Sequence, residues 1–386
     1  MAGKLKIRLY DLKVSTKTIN EVTRTLQSGW LTSGPKVALF EKAIARYAGV
    51  PYAAAVSSGT IGIMMALKLI GVQQGKEVVT TPFSFVATTE VILNCGARPV
   101  FADIDRRTLN IDPDQVSRKV NRNTACILPV DIAGYPADYE GLNEICDRFK
   151  VPLIADACHS FGAKYKRRSI PRVTDAAVFS FHATKNLTCG EGGMVLSRHR
   201  EFMRSLKTMS LHGMTAGAYV RRQKKRWEYD VVNLGMKGNM SDIHAAVGLG
   251  QLEQFDLNQL KRRKIAERYI ENLKPYADFL ELPPEEKSVQ SAWHLFIIKL
   301  RLTPLKISRD TFIREMAVRG VECGVHYKPI YELDFYRKLG QTAELFPETA
   351  YVWKRVVTLP MYPGLKLAEV DFICDAVERV LKKFRK

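Results

Sequence analysis

The sequence has no uninterrupted apolar run long enough to cross a membrane, although 46% of its 386 residues are hydrophobic. A helix that spans a bilayer needs about 20 mostly apolar residues in a row. The first residues, MAGKLKIRLYDLKV, also lack the apolar core of a secretory signal peptide. We therefore expect a cytoplasmic protein without a membrane partner.

Cysteine is scarce and follows no pattern that is typical of a metal site or a disulfide framework. The seven cysteines are Cys95, Cys126, Cys146, Cys158, Cys189, Cys323 and Cys374. Their odd number and the lack of a CxxC pair favour reduced thiols and argue against a zinc or iron–sulfur site. We expect no bound metal.

Acidic residues are outnumbered, with 40 against 59 basic residues and a formal net charge of +19. Such a charge can attract nucleic acid, an anionic membrane or a phosphorylated small molecule. The densest basic run, RRQKKR at residues 221–226, occurs without a helix-turn-helix, RNP or zinc-finger pattern. We expect a diphosphate-bearing substrate and no nucleic-acid partner. The alternative, a basic nucleic-acid-binding protein, would bind with a steep salt dependence.

Short apolar runs alternate with helical patterns through most of the chain before residue 250. This alternation predicts right-handed βαβ units and a mostly parallel sheet with helices on both faces. Beyond it, the sequence predicts a long helical stretch to about Lys274 and an alternating strand, AWHLFIIKL, at residues 292–300. We predict an α/β fold with a large domain at residues 1–250. Residues 251–386 would form a linker helix and a smaller C-terminal α+β domain.

The stretch AAVFSFHATKNLTCGEGGM at residues 176–194 joins an apolar strand, Lys185 and a glycine-rich turn. A lysine just past a buried strand can lose its proton and act as an amine nucleophile. Another apolar run, VPLIAD at residues 151–156, ends on Asp156. In enzymes that use pyridoxal phosphate (PLP), a lysine holds the cofactor as a Schiff base and an aspartate pairs with the pyridinium nitrogen. Taken alone, a lysine in such a position is more often a solvated surface residue, and an aspartate is more often a helix cap.

The segment YAAAVSSGTIGIMMALKLIG is predicted to form a strand, a small polar turn and a helix. The turn is the predicted phosphate site. The candidate phosphate-binding residues are Ser58, Gly59 and Thr60. Backbone N–H groups of this turn and the positive end of the helix would attract phosphate, although a plain strand followed by a capped helix has the same pattern. Phe85 is placed to stack on a planar cofactor ring. All these residues are expected at the carboxyl ends of strands, where ligands bind in parallel sheets.

A series of motifs covers almost the whole chain: SSGT, FSFVATTEVILNCGARPVFADID, PVDIAGYPAD, ADACHSFGAKY, FSFHATKNLTCGEGGM, LHGM, NMSDIHAAVGLGQL and HYKPIY. In content and order they resemble the DegT/DnrJ/EryC1/StrS family of sugar aminotransferases. The SFHATKN and EGG segments are most similar to the C4 aminotransferases related to the UDP-4-amino-4-deoxy-L-arabinose enzyme. The resemblance implies a PLP-dependent transferase of fold type I. It also implies a homodimer with shared active sites, and transfer of an amino group, usually from glutamate, to a nucleotide-linked keto sugar by a ping-pong mechanism.

The resemblance also implies roles for individual residues. Lys185 would hold the cofactor, Asp156 would pair with its ring nitrogen, and His159 would contact the side of the ring that bears the hydroxyl. The remaining positions matched to the cofactor are Ser58, Gly59, Thr60, Ser180 and Phe85. His326, in HYKPIY, and Trp30, in the GWLTSGP loop, are candidates for contact with the sugar substrate.

One motif departs from the family pattern and leaves a choice open. The family often has GYNYRM where this chain has GMKGNM at residues 235–240. Either Lys237 or Asn239 would then reach the cofactor phosphate of the neighbouring subunit.

Other interpretations of the resemblance also remain open. Sugar dehydratases of the family have histidine in place of the lysine, so Lys185 favours transamination. A C3 keto-sugar or cyclitol aminotransferase is the alternative within the family, and a catalytically silent regulator or scaffold is the alternative outside catalysis.

Overall fold

The computed structural model describes residues 6–225 and 227–386. Residues 1–5, and Arg226 at the end of the basic run, lie outside the described part. Within that part, no helix combines the length and the apolar character that crossing a membrane requires. All seven cysteines are described, and each is a free thiol.

The α-helices, in chain order, are α1 (Thr16–Gln27), α2 (Pro35–Ala48), α3 (Gly59–Leu69), α4 (Ala87–Asn94), α5 (Pro113–Ser117), α6 (Tyr139–Phe149), α7 (Arg200–Met209), α8 (Ala218–Gln223), α9 (Asp242–Leu252), α10 (Phe255–Leu273), α11 (Arg309–Val318), α12 (Pro347–Trp353) and α13 (Leu367–Lys383). The strands are β1 (Tyr52–Val56), β2 (Glu77–Thr80), β3 (Arg98–Phe101), β4 (Thr124–Leu128), β5 (Ile154–Asp156), β6 (Lys164–Tyr165), β7 (Arg168–Ser169), β8 (Ala176–Ser180), β9 (Gly193–Ser197), β10 (Leu280–Glu281), β11 (Val289–Gln290), β12 (Phe296–Leu300) and β13 (Val356–Leu359).

The central sheet has the strand order β3-β2-β4-β5-β8-β9-β1. Strands β4 and β5 are joined by parallel bridges from Ile127 to Leu153 and from Val130 to Asp156. Only β9 runs against its neighbours, so the prediction of a mostly parallel sheet is confirmed. Because β5 and β8 are adjacent and parallel, their carboxyl ends lie side by side.

Helices cover both faces of this sheet, which explains why its strands are continuous apolar runs rather than alternating ones. On one face, α2 and α6 bury Phe40 and Tyr139 against the sheet. On the other, α3 and α7 bury Met65 and Leu206. The two layers of helices bury both faces of the sheet, and the loops at its carboxyl edge remain available for a site.

A second hydrophobic core forms around the antiparallel sheet β10-β12-β13 and the helices α10, α11 and α13. Ile7 belongs to this core, because its backbone pairs with Val321. The division of the chain at residue 250 stays a prediction.

The strand predicted at residues 292–300 begins only at Phe296. The preceding residues leave the small sheet because the backbone N–H groups of Ala292 and His294 donate to carbonyls of the loop after β4.

Candidate active site

A cavity of about 350 Å³ opens at the carboxyl ends of β5 and β8. The structure brings most of the predicted site residues together in its wall: Ser58, Gly59, Thr60, Phe85, Asp156, His159, Ser180, Lys185 and His326. They come from separate strand ends and from the C-terminal part of the chain. The parallel order of the sheet accounts for the residues at strand ends, whereas His326 reaches the cavity from the C-terminal part of the chain.

Lys185 lies in the turn that follows β8, and its backbone N–H donates to the carbonyl of His182 at 3.0 Å. Burial lowers the pKa of the Lys185 ammonium, while Cys158 and Asp156 oppose this shift. A lowered pKa makes the neutral, nucleophilic amine easier to form.

Asp156 ends β5 and is only 5% exposed. The Thr88 hydroxyl donates to Oδ2 of Asp156 at 2.7 Å, and the backbone N–H of Cys158 donates to Oδ1 at 3.3 Å. Ser84 in turn pairs with the Thr88 hydroxyl at 2.8 Å. Both carboxylate oxygens are therefore held in place. Sequence reasoning missed Thr88, because nothing in the helical stretch around it marks a contact with Asp156.

His159 is buried, and its Nε2 pairs with the hydroxyl of Tyr327 at 3.0 Å. Its Nδ1 has no hydrogen-bond partner among the described residues. Burial, with Lys185 nearby, lowers the pKa of His159 well below its usual value, so the ring is neutral. Tyr327 was also missed, although the HYKPIY motif places it directly after a predicted site residue.

His326 presents a second neutral imidazole to the cavity. Its Nδ1 pairs with the Thr358 hydroxyl at 2.8 Å. Burial, and then the charge of Lys185, lower the pKa of His326 to about 4. A neutral ring can exchange hydrogen bonds with sugar hydroxyl groups without bringing a further positive charge close to Lys185.

The turn before α3 has the features of a phosphate cradle. The Ser58 hydroxyl accepts a hydrogen bond from the backbone N–H of Ile61 at 3.2 Å and caps the helix. A Cβ atom added at Gly59 would lie 2.8 Å from Sγ of Cys158 and 3.0 Å from Cβ of Ser180. Glycine is therefore required for the backbone to approach this closely. Phe85 is 57% exposed at the cavity wall.

Three predicted site residues do not line this cavity: Trp30, Lys237 and Asn239. The Trp30 ring packs edge-on against Tyr219, with 5.1 Å between ring centroids. Lys237 Nζ donates to Oδ1 of Asn239 at 2.7 Å. The residue between them, Gly238, accepts a hydrogen bond from the backbone N–H of Ser57 at 2.8 Å, next to the phosphate turn.

The residues of this cavity fit pyridoxal phosphate. Lys185 supplies a buried amine, Asp156 supplies a carboxylate, and His159 supplies an imidazole nitrogen without a partner among the described residues. The turn at Gly59 supplies backbone N–H groups at the N-terminus of a helix, where phosphate is favoured. Together, the fold and these groups define a PLP-dependent enzyme of fold type I.

Comparison with known proteins narrows this class. Residues 13–378 match the model of the DegT/DnrJ/EryC1/StrS aminotransferase family. The spore coat polysaccharide biosynthesis protein SpsC of Bacillus subtilis is 36% identical over 372 residues, covering 96% of this chain and 95% of SpsC. The chain belongs to the DegT/DnrJ/EryC1/StrS aminotransferase family.

Solved structures agree with this assignment. Spr1654 from Streptococcus pneumoniae, in its PMP form, is 30% identical with a TM-score of 0.91, covering 98% of this chain and all of that one. PseC from Helicobacter pylori, an aminotransferase involved in the biosynthesis of pseudoaminic acid, is 28% identical with a TM-score of 0.90 and the same coverage. This protein is a PLP-dependent sugar aminotransferase. The arabinose-type C4 subfamily, and the roles of the individual site residues, stay predictions.

Proposed function

We propose that the enzyme transfers an amino group from glutamate to the keto carbon at C4 of a nucleotide-linked sugar. The observation that carries the proposal is the presence of the Lys185 amine and the Asp156 carboxylate in one cavity. The SFHATKN and EGG segments support the C4 position through their resemblance to the arabinose-type enzymes. SpsC and PseC, which serve the synthesis of a spore coat polysaccharide and of pseudoaminic acid, support a biosynthetic sugar as the substrate.

The proposed chemistry assigns each side chain a separate task. When bound, PLP supplies an electron sink for the carbon that loses its proton. Lys185 Nζ would take up the proton from the α-carbon of the amino donor and would later release it to the carbon of the cofactor that receives the amino group. Asp156 would keep the ring nitrogen of the cofactor protonated, and Ser58, Gly59 and Thr60 would hold its phosphate. The same groups act in the reverse order on the keto sugar, so the kinetics are ping-pong.

Two measurements test this proposal in sequence. Glutamate added to the purified yellow holoenzyme should bleach its visible absorption, because the first half-reaction would free Lys185 from the cofactor, leave the cofactor in its amine form and release the oxoacid of glutamate. The aminated enzyme is then offered nucleotide-linked 4-keto and 3-keto sugars and a cyclitol ketone, and NMR locates the new amine on the product. Colour returns with the 4-keto sugar if the proposal holds. Recovery only with a 3-keto sugar or the cyclitol would refute the C4 assignment, and a protein that never binds PLP would refute the cofactor site.

The proposal includes a homodimer in which each subunit completes the site of the other. Lys237 and Asn239 lie beside the phosphate turn but do not line the cavity of their own subunit. This position agrees with a contact to the active site of the other subunit. The segment just before them exposes large apolar side chains, among them Trp227 at 82% and Leu234 at 94%. Exposed apolar surface of this kind is typical of contact with another protein.

Subunit mixing tests the shared site. Lys185→Ala and Asn239→Ala are each expected to impair turnover as homodimers. In a mixed dimer, one site would combine an intact Lys185 with the intact Asn239 of the other chain. Co-expression with two affinity tags should therefore recover about half of the wild-type turnover in the purified mixed dimer. No recovery above the Asn239→Ala homodimer would contradict a site shared through Asn239, and the same cross with Lys237→Ala then tests the other candidate.

A further inference from the structure

The short segment at residues 292–294, which leads into β12, is fixed against the large sheet. The backbone N–H of Ala292 donates to the carbonyl of Gly134 at 2.8 Å, and that of His294 donates to the carbonyl of Ala133 at 3.0 Å. This anchoring explains why the predicted strand begins late. It also places His294 beside the candidate active site.

Asn186, which directly follows Lys185, bonds to this segment with both ends of its amide. Its Nδ2 donates to the carbonyl of Ala292 at 2.7 Å, and its Oδ1 pairs with Nδ1 of His294 at 3.2 Å. Because the amide oxygen can only accept, Nδ1 of His294 carries the proton. The turn that bears Lys185 is thereby tied to a second part of the chain.

His294 also touches the other side of the site. Its ring centroid lies 4.6 Å from that of His159. The charged and titratable groups that act on His294 are His159, Lys185, Arg262 and His326. Burial, and then these groups, lower the pKa of His294 well below its usual value, so the imidazole stays neutral. One neutral side chain thus contacts His159 and the residue next to Lys185.

Arg262, on α10, donates hydrogen bonds to the backbone of this segment. It is 4% exposed, and its Nη1 donates to the carbonyls of Trp293 at 3.1 Å, His294 at 3.4 Å and Met361 at 3.1 Å. No carboxylate pairs with Arg262 within the described residues. An unpaired buried cation is costly, and here its hydrogen bonds join the segment at residues 292–294 to Met361 and α10 of the second hydrophobic core.

We propose that Asn186, His294 and Arg262 are positioning residues that fix the Lys185 turn and His159 relative to each other. The inference rests on the proposed role of Lys185. None of the three needs to touch substrate. Their effect is geometric: they keep the Lys185 amine buried and aligned.

The expected result is a kinetic defect in kcat without an equal loss of substrate binding. Asn186→Ala removes both hydrogen bonds to the segment, so kcat should fall by about 10²-fold while KM for glutamate changes by less than about 3-fold. His294→Ala should behave in the same way. His294→Asn places an amide N–H close to the position of Nδ1, so it can still donate to Asn186 Oδ1 and should recover part of the loss.

A second readout uses the cofactor-free protein and is independent of turnover. Reductive methylation of Lys185 by formaldehyde and cyanoborohydride is followed by mass spectrometry across a range of pH. If the turn loosens, the amine gains water and its pKa rises toward the usual lysine value. In Asn186→Ala and Arg262→Met, the pH at which Lys185 is labelled at half its maximal rate should rise by about one unit. At any pH below this midpoint, Lys185 would then be labelled about 10-fold more slowly than in the wild type.

Arg309 provides a control, because it is also buried and donates to carbonyls, those of Trp353 at 3.1 Å and Val356 at 3.4 Å. Unlike Arg262, it also pairs with a carboxylate, that of Asp310. It does not line the cavity. Arg309→Met should lower stability and leave the labelling midpoint of Lys185 unchanged. Wild-type midpoints in both Asn186→Ala and Arg262→Met would overturn the inference. If Arg262→Met fails to fold, Asn186→Ala still decides the question. Turnover that persists in Lys185→Ala would instead refute the proposed function.

Discussion

Replacing Lys185 with alanine should reduce turnover by about 10⁴-fold or more, the largest effect expected of any single substitution in this chain. The variant loses both the amine that holds the cofactor and the base that moves the proton. Steady-state assays of amino transfer, together with the absorption spectrum in the presence of glutamate, measure the loss. The cavity would remain able to bind PLP without a covalent bond, so retention of the cofactor would not rescue turnover.

Two companion variants isolate the cause of this loss. Lys185→Arg keeps a positive charge, but a guanidinium group does not deprotonate in proteins, so it should be as inactive as the alanine variant. Lys264→Ala removes an exposed lysine from α10 and should retain wild-type turnover. Turnover of Lys185→Ala within 10-fold of the wild type would rule out the assigned role.

Asp156→Asn should lower kcat by about 10²- to 10³-fold. The side chain keeps its size, but it loses the negative charge that favours a protonated ring nitrogen, and a neutral ring is a weaker electron sink. The Thr88 hydroxyl can still donate to the amide oxygen. The fold should therefore persist, and circular dichroism with a thermal melt checks that it does.

Asp131 offers the matched control for this substitution. It is also a buried carboxylate at this edge of the sheet, and it accepts hydrogen bonds from the backbone N–H of Ala137 at 2.8 Å and the hydroxyl of Tyr139 at 2.7 Å. It does not line the cavity. Asp131→Asn should lower the melting temperature and leave kcat close to that of the wild type. If the two variants lose kcat to the same extent, the electrostatic role of Asp156 is wrong.

The sequence alone was sufficient for the features that depend on local patterns. Continuous apolar runs predict buried parallel strands, and the residues that end those runs are placed at one edge of the sheet by the topology of βαβ units. The strand pattern, taken together with the predicted phosphate turn, therefore predicted that Asp156 and Lys185 share one site. Gly59 was predicted to bind phosphate for the same reason, because a strand, a turn and a helix in succession form a local sequence pattern.

Contacts between distant parts of the chain were decided only by the tertiary structure. Thr88 meets Asp156 across 68 residues, His294 meets Asn186 across 108, and Tyr327 meets His159 across 168. No periodicity links such pairs, because packing rather than local backbone preference brings them together. Likewise, the family resemblance offered Lys237 or Asn239 for a phosphate contact, but only the folded chain places both residues outside the cavity wall of their own subunit. The sequence by itself determined the family motifs and the predicted set of site residues, and the tertiary structure decided how those residues are held, since orientation depends on side chains that meet only after folding.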